Sequence, residues 1–179
     1  MSSPTSLPDG AILADEATTK RLYDYIRLRP QGVIATVTPD GRPQAALLDI
    51  AVSPDLKIVF ETTDQTRKFA NLRADPRVAL VIGGMGEETL QYDGVVERLS
   101  ERETEQARAH YISVFPQKFT HQNWPGNYYF QVRPLWVRFS NYHRPRKVEE
   151  FRFANEDSAL AHAGWWRRLM HTPSSRQRN

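Results

Sequence analysis

The stretch from Lys57 to Ile82, KIVFETTDQTRKFANLRADPRVALVI, leaves the chain few ways to fold. Lys57 to Thr62 is rich in β-branched and aromatic residues, as a strand requires. Thr63, Asp64 and Gln65 make a polar connector. Thr66 then opens a short helix with Phe69, Ala70 and Leu72 as its inward residues. Asp75-Pro76 ends that helix, because the residue before a proline is pushed out of the α region. Arg77 to Ile82 is the next strand.

The start of this helix carries chemistry. Thr66, Arg67 and Lys68 bring a hydroxyl, a guanidinium and an ammonium to a place where unpaired backbone N–H groups and the positive end of the helix dipole already gather. That combination suits a phosphate monoester: the fork of Arg67 binds two oxygens and Lys68 adds a point charge. On charge alone, a short surface helix with two solvated cations is the plainer alternative.

From Val59 to Leu80 the chain closely resembles the flavin-binding core of the pyridoxamine 5'-phosphate oxidase-like family, the FMN-binding split barrels. The matching features are Phe60 and Thr62 at a strand end, Thr66-Arg67-Lys68 after a short loop, and Asp75-Pro76-Arg77-Val78 leading into the next strand. The resemblance extends more weakly from about Gly32 to about Tyr142. It implies a split-barrel fold, FMN held in clefts between the subunits of a homodimer, and flavin-dependent oxidoreduction.

The remainder of the chain reads compatibly. Asp15 caps a helix running to about Arg29, with Leu22, Tyr25 and Ile26 on one face and Pro30 as the stop. Gly32 to Thr38 and Pro43 to Val52 are strands joined by the turn Pro39-Asp40-Gly41-Arg42. Ser53-Pro54-Asp55 turns into the central stretch, so an antiparallel meander is expected, and no GxGxxG or Walker sequence is present. Thr89 to Arg98 is a strand with Gly94 as a bulge or close-approach point. Ser100 and Glu103 form a capping box opening a helix to about Phe115. Pro116 to Gly126 is a loop. Asn127 to Arg133 and Leu135 to Tyr142 form one interrupted strand, and Phe151 to Phe153 adds a short one. A last helix is expected from Ser158 to His171. Residues 1–10 read as a disordered lead-in, 11–171 as one domain and 172–179 as a loose basic tail. About six antiparallel strands with three or four helices predict a β-barrel with peripheral helices, an α+β arrangement.

Composition narrows the function. The 179 residues contain no cysteine, which excludes disulfides, thiolate catalysis and cysteine-ligated metal or iron–sulfur centres. The net charge of +3 favours anionic ligands slightly and does not imply nucleic acid. No run approaches the roughly 18 apolar residues of a membrane span, and the N-terminus lacks an apolar signal core. A soluble cytoplasmic chain with neither nucleic-acid nor membrane partners is the expectation.

The resemblance carries over residue by residue. Arg67 and Lys68 match the family's phosphate-binding pair and Thr66 the hydroxyl beside it. Glu61 and Thr62 match the strand end along the ribityl chain and phosphate. Gln44, Ala45, Ala46, Leu47 and Asp49 lie on the strand whose backbone edge runs along the isoalloxazine. In the oxidase this strand begins with Arg and ends with Lys; here Gln44 and Asp49 stand there. Thr89 takes the place of a glutamine at the pyrimidine end of the ring, and Gln91 is an alternative. For Ala45, Ala46, Leu47 and Leu48, plain core packing is the rival reading.

Other groups offer weaker signals. The five histidines, His110, His121, His143, His162 and His171, have no metal-ligand spacing, so no metal is expected. Trp124 either covers a flavin from the partner subunit or packs locally; Trp136 is expected to pack within its strand. Arg133, Arg138, Arg144, Arg146 and Lys147 form a basic stretch interleaved with Trp136, Phe139 and Tyr142. Strand alternation predicts aromatic residues inside and arginines outside, against single-stranded nucleic acid. The oxidase's closing Arg-Leu-His-Asp-Arg signature is absent, so pyridoxine phosphate is not the expected substrate. The sequence reading is therefore an FMN-dependent oxidoreductase acting with a small-molecule substrate or electron donor, with no catalytic side chain singled out. The alternatives are a non-catalytic flavin-binding or stress-related protein, and a relative that binds F420 or haem.

Overall fold

The computed structural model describes residues 12–84, 86–121 and 124–153. The expected lead-in, last helix and basic tail lie outside the described residues. A two-residue strand, β1 (Ile12–Leu13), precedes helix α1 (Glu16–Arg27). Asp15 caps α1, its carboxylate accepting from the Thr18 N–H at 2.8 Å. Leu22, Tyr25 and Ile26 are its buried stripe, as their spacing requires. There follow β2 (Gln31–Val37), β3 (Pro43–Asp49), β4 (Ala51–Val52), β5 (Ile58–Thr63), helix α2 (Arg67–Ala74), β6 (Arg77–Gly83), β7 (Glu88–Val96), helix α3 (Glu101–Val114), a 3₁₀ segment (Pro116–His121), β8 (Asn127–Asn141) and β9 (Lys147–Arg152).

These nine strands form one sheet in the order β1-β9-β8-β7-β6-β2-β3, with β5 pairing both β4 and β8. Hydrogen-bonded neighbours trace a circuit from β2 through β6, β7, β8 and β5 to β4, which the chain joins to β3 and so back to β2. The circuit is interrupted at Ile50. The expected single strand from Pro43 to Val52 is thus two, because the Ile50 N–H turns away to donate to the Pro30 carbonyl at 3.0 Å. The sheet is mixed, not wholly antiparallel as expected: β1 runs parallel to β9. Among the described residues, no helix is long and apolar enough to cross a membrane.

The main core fills the inside of the circuit, with Ile34, Phe60, Leu72, Leu80, Ile82, Leu90, Tyr92 and Val137 at its centre. α3 packs on the other side of β5 and β8, where Ala51, Val59, Ala107, Tyr111 and Phe115 form a smaller cluster. Its Ser100–Glu103 capping box is present in both directions. In α2, Phe69 and Leu72 are buried as expected, but Ala70 is exposed and Asn71 is buried in its stead. At 100° per residue, Ala70 lies opposite the middle of the arc defined by Asn71, Leu72 and Phe69.

The register of β8 shifts opposite Gly94. Gly94 pairs with Pro134 and Asp93 with Trp136, leaving Leu135 as the extra residue. Pro134 has no N–H to offer, and the bulge accommodates it. The bulge also exchanges the faces of the strand: Phe130, Val132 and Pro134 point inward before it, Val137 and Phe139 after it. The expectation of aromatics inside and arginines outside is therefore corrected. Phe139 is in the core, whereas Trp136 is half-buried on the same face as Arg138, and Tyr142 is exposed.

A Cβ added at Gly94 would lie 2.6 Å from the Arg133 carbonyl oxygen and 2.7 Å from the Tyr92 ring. Both neighbours are held in the sheet, so Gly94→Ala is expected to destabilise the fold by about 1–3 kcal/mol. Urea unfolding monitored by tryptophan fluorescence checks this; an unchanged midpoint contradicts the close approach.

Candidate functional site

The site starts from the cap of α2. Thr66 has extended backbone geometry and its hydroxyl oxygen accepts from the Phe69 N–H at 3.3 Å. The same hydroxyl donates to the Thr63 carbonyl at 2.9 Å and lies 2.9 Å from the hydroxyl of Thr62. Lys68 Nζ donates to Thr62 Oγ1 at 3.4 Å. Thr62, at the end of β5, is thereby tied to the first turn of α2. Among the described residues no carboxylate pairs with Arg67 or Lys68. Burial holds the Lys68 ammonium below its ordinary pKa, since no anion compensates for its lost hydration. Arg67 is exposed beside it.

A cavity of about 400 Å³ opens here, and it collects Leu47, Asp49, Glu61, Thr62, Thr66 and Lys68 from the sequence-predicted set. Asp49 ends β3 and Glu61 lies in β5. Trp124 and Asn127 form the rim, held because the Asp64 N–H donates to the Gly126 carbonyl at 2.9 Å. Gly126 has φ +75°, and a Cβ there would meet the Asp64 carboxylate at 2.7 Å. β3 pairs with β2 along one edge and, among the described residues, with no strand along the other, so its backbone polar groups are left for another partner.

The remaining predicted residues do not line this cavity. Arg67 is exposed and is not among the lining residues. Ala45 is exposed and Ala46 packs against the core. Gln44 turns toward α2, where buried Asn71 donates to its side-chain oxygen at 2.7 Å and to Thr36 Oγ1 at 2.9 Å. Thr89 and Gln91 lie on the outer face of β7. The register places Leu48, Gly32, Ile82 and Leu90 in one row across β3, β2, β6 and β7, with Asp49 and Thr89 one residue along from its two ends. Thr89 is thus three strand spacings, roughly 14 Å along the sheet, from Asp49.

Sequence reasoning missed Lys118, which lies in the 3₁₀ segment expected to be a loop. Its ammonium is 2.7 Å from Asp49 and 3.0 Å from Glu61, and it donates to the Tyr111 hydroxyl at 3.0 Å. Gln31 Nε2 adds a bond to Asp49 at 3.1 Å. Burial works to raise the Asp49 carboxyl, but Lys118 and Gln31 outweigh it and hold it below the usual carboxylate range. Burial likewise works to lower Lys118, and its bonds to Asp49, Tyr111 and Glu61 outweigh that and raise it. The Tyr111 hydroxyl is pushed up to about 12, mainly by burial. The one signal for Lys118 in the sequence was indirect: two carboxylates expected at neighbouring strand ends require a cation. Among the described residues, no group of three or more His, Asp or Glu is placed to hold a metal ion.

Comparisons with known proteins agree with this architecture. A family model described as pyridoxamine 5'-phosphate oxidase matches residues 18–153. A pyridoxine/pyridoxamine 5'-phosphate oxidase from Rubrobacter xylanophilus is 38% identical over 92 residues, 51% of this chain and 41% of that relative. The chain therefore matches about two fifths of that protein's length. A heme binding protein from Mycobacterium smegmatis is similar with a TM-score of 0.67 and 18% identity, over 84% of this chain and 60% of the other. A Clostridium acetobutylicum protein related to general stress protein 26 gives a TM-score of 0.59 and 15% identity, over 78% of this chain and 96% of the other. At such identities the two structures speak to the fold alone.

Replacing Lys118 by methionine leaves Asp49 and Glu61 facing each other without their cation. The variant is expected to lose about 1.5–3 kcal/mol at pH 7, the worth of hydrogen bonds to charged groups. The carboxyl of Asp49 sits low in the native protein, so its stabilisation is present above the ordinary carboxylate range and disappears as pH falls through the native value. Lys118 sits high, so its share is complete below the ordinary lysine range and disappears only as pH rises through its native value. The gap between wild type and Lys118→Met is therefore widest near neutrality and narrows toward pH 3. Urea midpoints across pH measure it, and a gap independent of pH contradicts the pairing.

Proposed function

The chain belongs to the pyridoxamine 5'-phosphate oxidase family, and from that premise we propose that it is an FMN-dependent oxidoreductase with its flavin bound between the subunits of a homodimer. The observation that carries the reading is the start of α2: Thr66 and Lys68 line a cavity, and neither Lys68 nor neighbouring Arg67 has a carboxylate partner among the described residues. Two uncompensated cations at a helix N-terminus fit a phosphate dianion. Thr62, Thr66, Arg67 and Lys68 would hold that phosphate, with Glu61 beside them. The unpaired edge of β3, from Gln44 to Asp49, would meet the ring. When bound, FMN supplies hydride or single-electron exchange. The chain supplies binding and orientation, and Lys118 keeps the Asp49 and Glu61 charges from repelling a ligand.

The outer face of the sheet supports the dimer. Val33 stands between Leu47 and Val81 in register, and they are 40%, 67% and 49% exposed. Ala35 stands between Ala45 and Ala79 in the next row. An apolar face of this kind, continuous with the cavity through Leu47, suits a second subunit. The distance from Thr89 to Asp49 fits the same idea, since Thr89 would then serve the partner's flavin. The heme binding relative supports a second reading, a haem protein on the same fold; a Soret band in the purified protein would favour it. A yellow protein that no electron donor bleaches would favour a non-catalytic flavin-binding module.

Joint replacement of Arg67 and Lys68 by alanine is expected to weaken FMN binding about a hundredfold or more, at about 1.5–3 kcal/mol per charge-assisted contact. Riboflavin, without the phosphate, should bind wild type and variant alike. Titration by flavin fluorescence reads both; unaltered FMN affinity removes the phosphate from this helix.

Glutamate at both Val33 and Leu47 places charges on the apolar face without touching the core. Sedimentation is expected to show a dimer for the wild type at micromolar concentration and a monomer for this variant, with reduced flavin occupancy. A wild-type monomer carrying full flavin contradicts a shared site.

A further inference from the structure

Asn71 is a polar residue in the buried arc of α2. It is 2% exposed, and both N–H groups of its amide are spent, one on the side-chain oxygen of Gln44 at 2.7 Å and one on Thr36 Oγ1 at 2.9 Å. Gln44 and Thr36 stand opposite each other in the register of β3 and β2, so a single amide ties the helix to both strands. Leucine at this position would be the better helix former and would bury without a polar desolvation cost. The cost of asparagine is offset only through the two bonds that it makes.

One of those bonds decides which way the Gln44 amide faces. A side-chain amide has one acceptor atom and one nitrogen with two donors. With the oxygen held by Asn71, the nitrogen is turned away from it. That nitrogen donates to no group among the described residues, yet it is not one of the buried atoms left without a partner, so a ligand can reach it. A helical side chain leans toward the N-terminus of its helix. From position 71 it leans over the turn that carries Arg67 and Lys68, and Gln44 is docked there with its donors free.

We propose that Asn71 is a positioning residue for the cofactor's phosphate: it fixes the Gln44 amide so that its N–H groups, and not its oxygen, face the phosphate at the start of α2. The inference rests on the FMN reading of that site, to which it adds a neutral donor beside Thr66, Arg67 and Lys68. Such a donor takes a phosphate oxygen without setting a further positive charge against Lys68. Without Asn71 the amide is free to rotate and to present its oxygen to the dianion, and the preorganised contact is lost.

FMN and riboflavin, the same ring with and without the phosphate, test this on the flavin-free, full-length protein. Flavin fluorescence gives both affinities, and their ratio isolates the phosphate. Gln44→Met removes the amide and is expected to lower that ratio about tenfold, the weight of one hydrogen bond to a charged group. Asn71→Leu is expected to lower it about as much, with riboflavin affinity unchanged. The double variant should be no worse than either single one, since Asn71 acts through Gln44. Thr36→Val removes the other bond of the same amide and should leave the ratio unchanged. Should Asn71→Leu not fold, Asn71→Ser, too short to reach Gln44, reads the same ratio. A ratio unmoved by the change at Asn71 or by Gln44→Met, losses that add in the double variant, or an equal loss in Thr36→Val overturns the positioning role while leaving the FMN reading intact. A wild-type protein that binds riboflavin as tightly as FMN overturns the phosphate site and this inference with it.

Discussion

One long strand supports most of the sheet. The first half of β8 pairs with β5, and its second half pairs with β7 along one edge and with β9 along the other. Because side chains alternate faces, a slip of one residue would turn Phe130 and Val132 out of the core. The register is fixed at Gly94 and Pro134, where a residue without a Cβ meets one without an N–H. The Leu135 bulge there does more than bend the strand. It moves the inward face from even to odd positions, so Val137 and Phe139 continue a core that Phe130 and Val132 began. The cavity depends on this arrangement, since β8 holds β5 and with it Glu61 and Thr62.

Electrostatics divides the cleft into two ends. At α2 neither Arg67 nor Lys68 has a carboxylate partner among the described residues, and burial holds the Lys68 ammonium below its ordinary pKa. At the β3 end Lys118 is matched by two carboxylates and a phenol. Asp49, which by sequence sets a bare negative charge where the family's oxidase has a cation, is here one partner in a paired network. The pair is partly shielded from water, so its Coulomb energy is screened less than at a surface while the desolvation cost stays moderate.

Local interactions were legible in the chain. Asp15, Thr66 and Ser100 each cap the helix expected of them, because a cap needs only a side-chain oxygen and an N–H two or three residues away. The strands of the central stretch follow from β-branched runs between turn residues. The error at Ala70 arose from counting apolar residues without an angular centre for the helix face. The errors at Trp136 and Tyr142 arose from placing residues three apart on one face, when strand alternation sets each of them opposite Phe139.

By itself the sequence determined the family, the order of strands and helices in its central part, and the cationic start of α2, because each rests on residues close together in the chain. Tertiary structure alone decided that Lys118 neutralises Asp49 and Glu61, that Asn71 takes up the side-chain oxygen of Gln44, and that Thr89 lies across the sheet from the cavity. Those outcomes depend on which distant segments the sheet brings within hydrogen-bonding range. A charge or amide carries no mark of its partner until folding sets the distance between them.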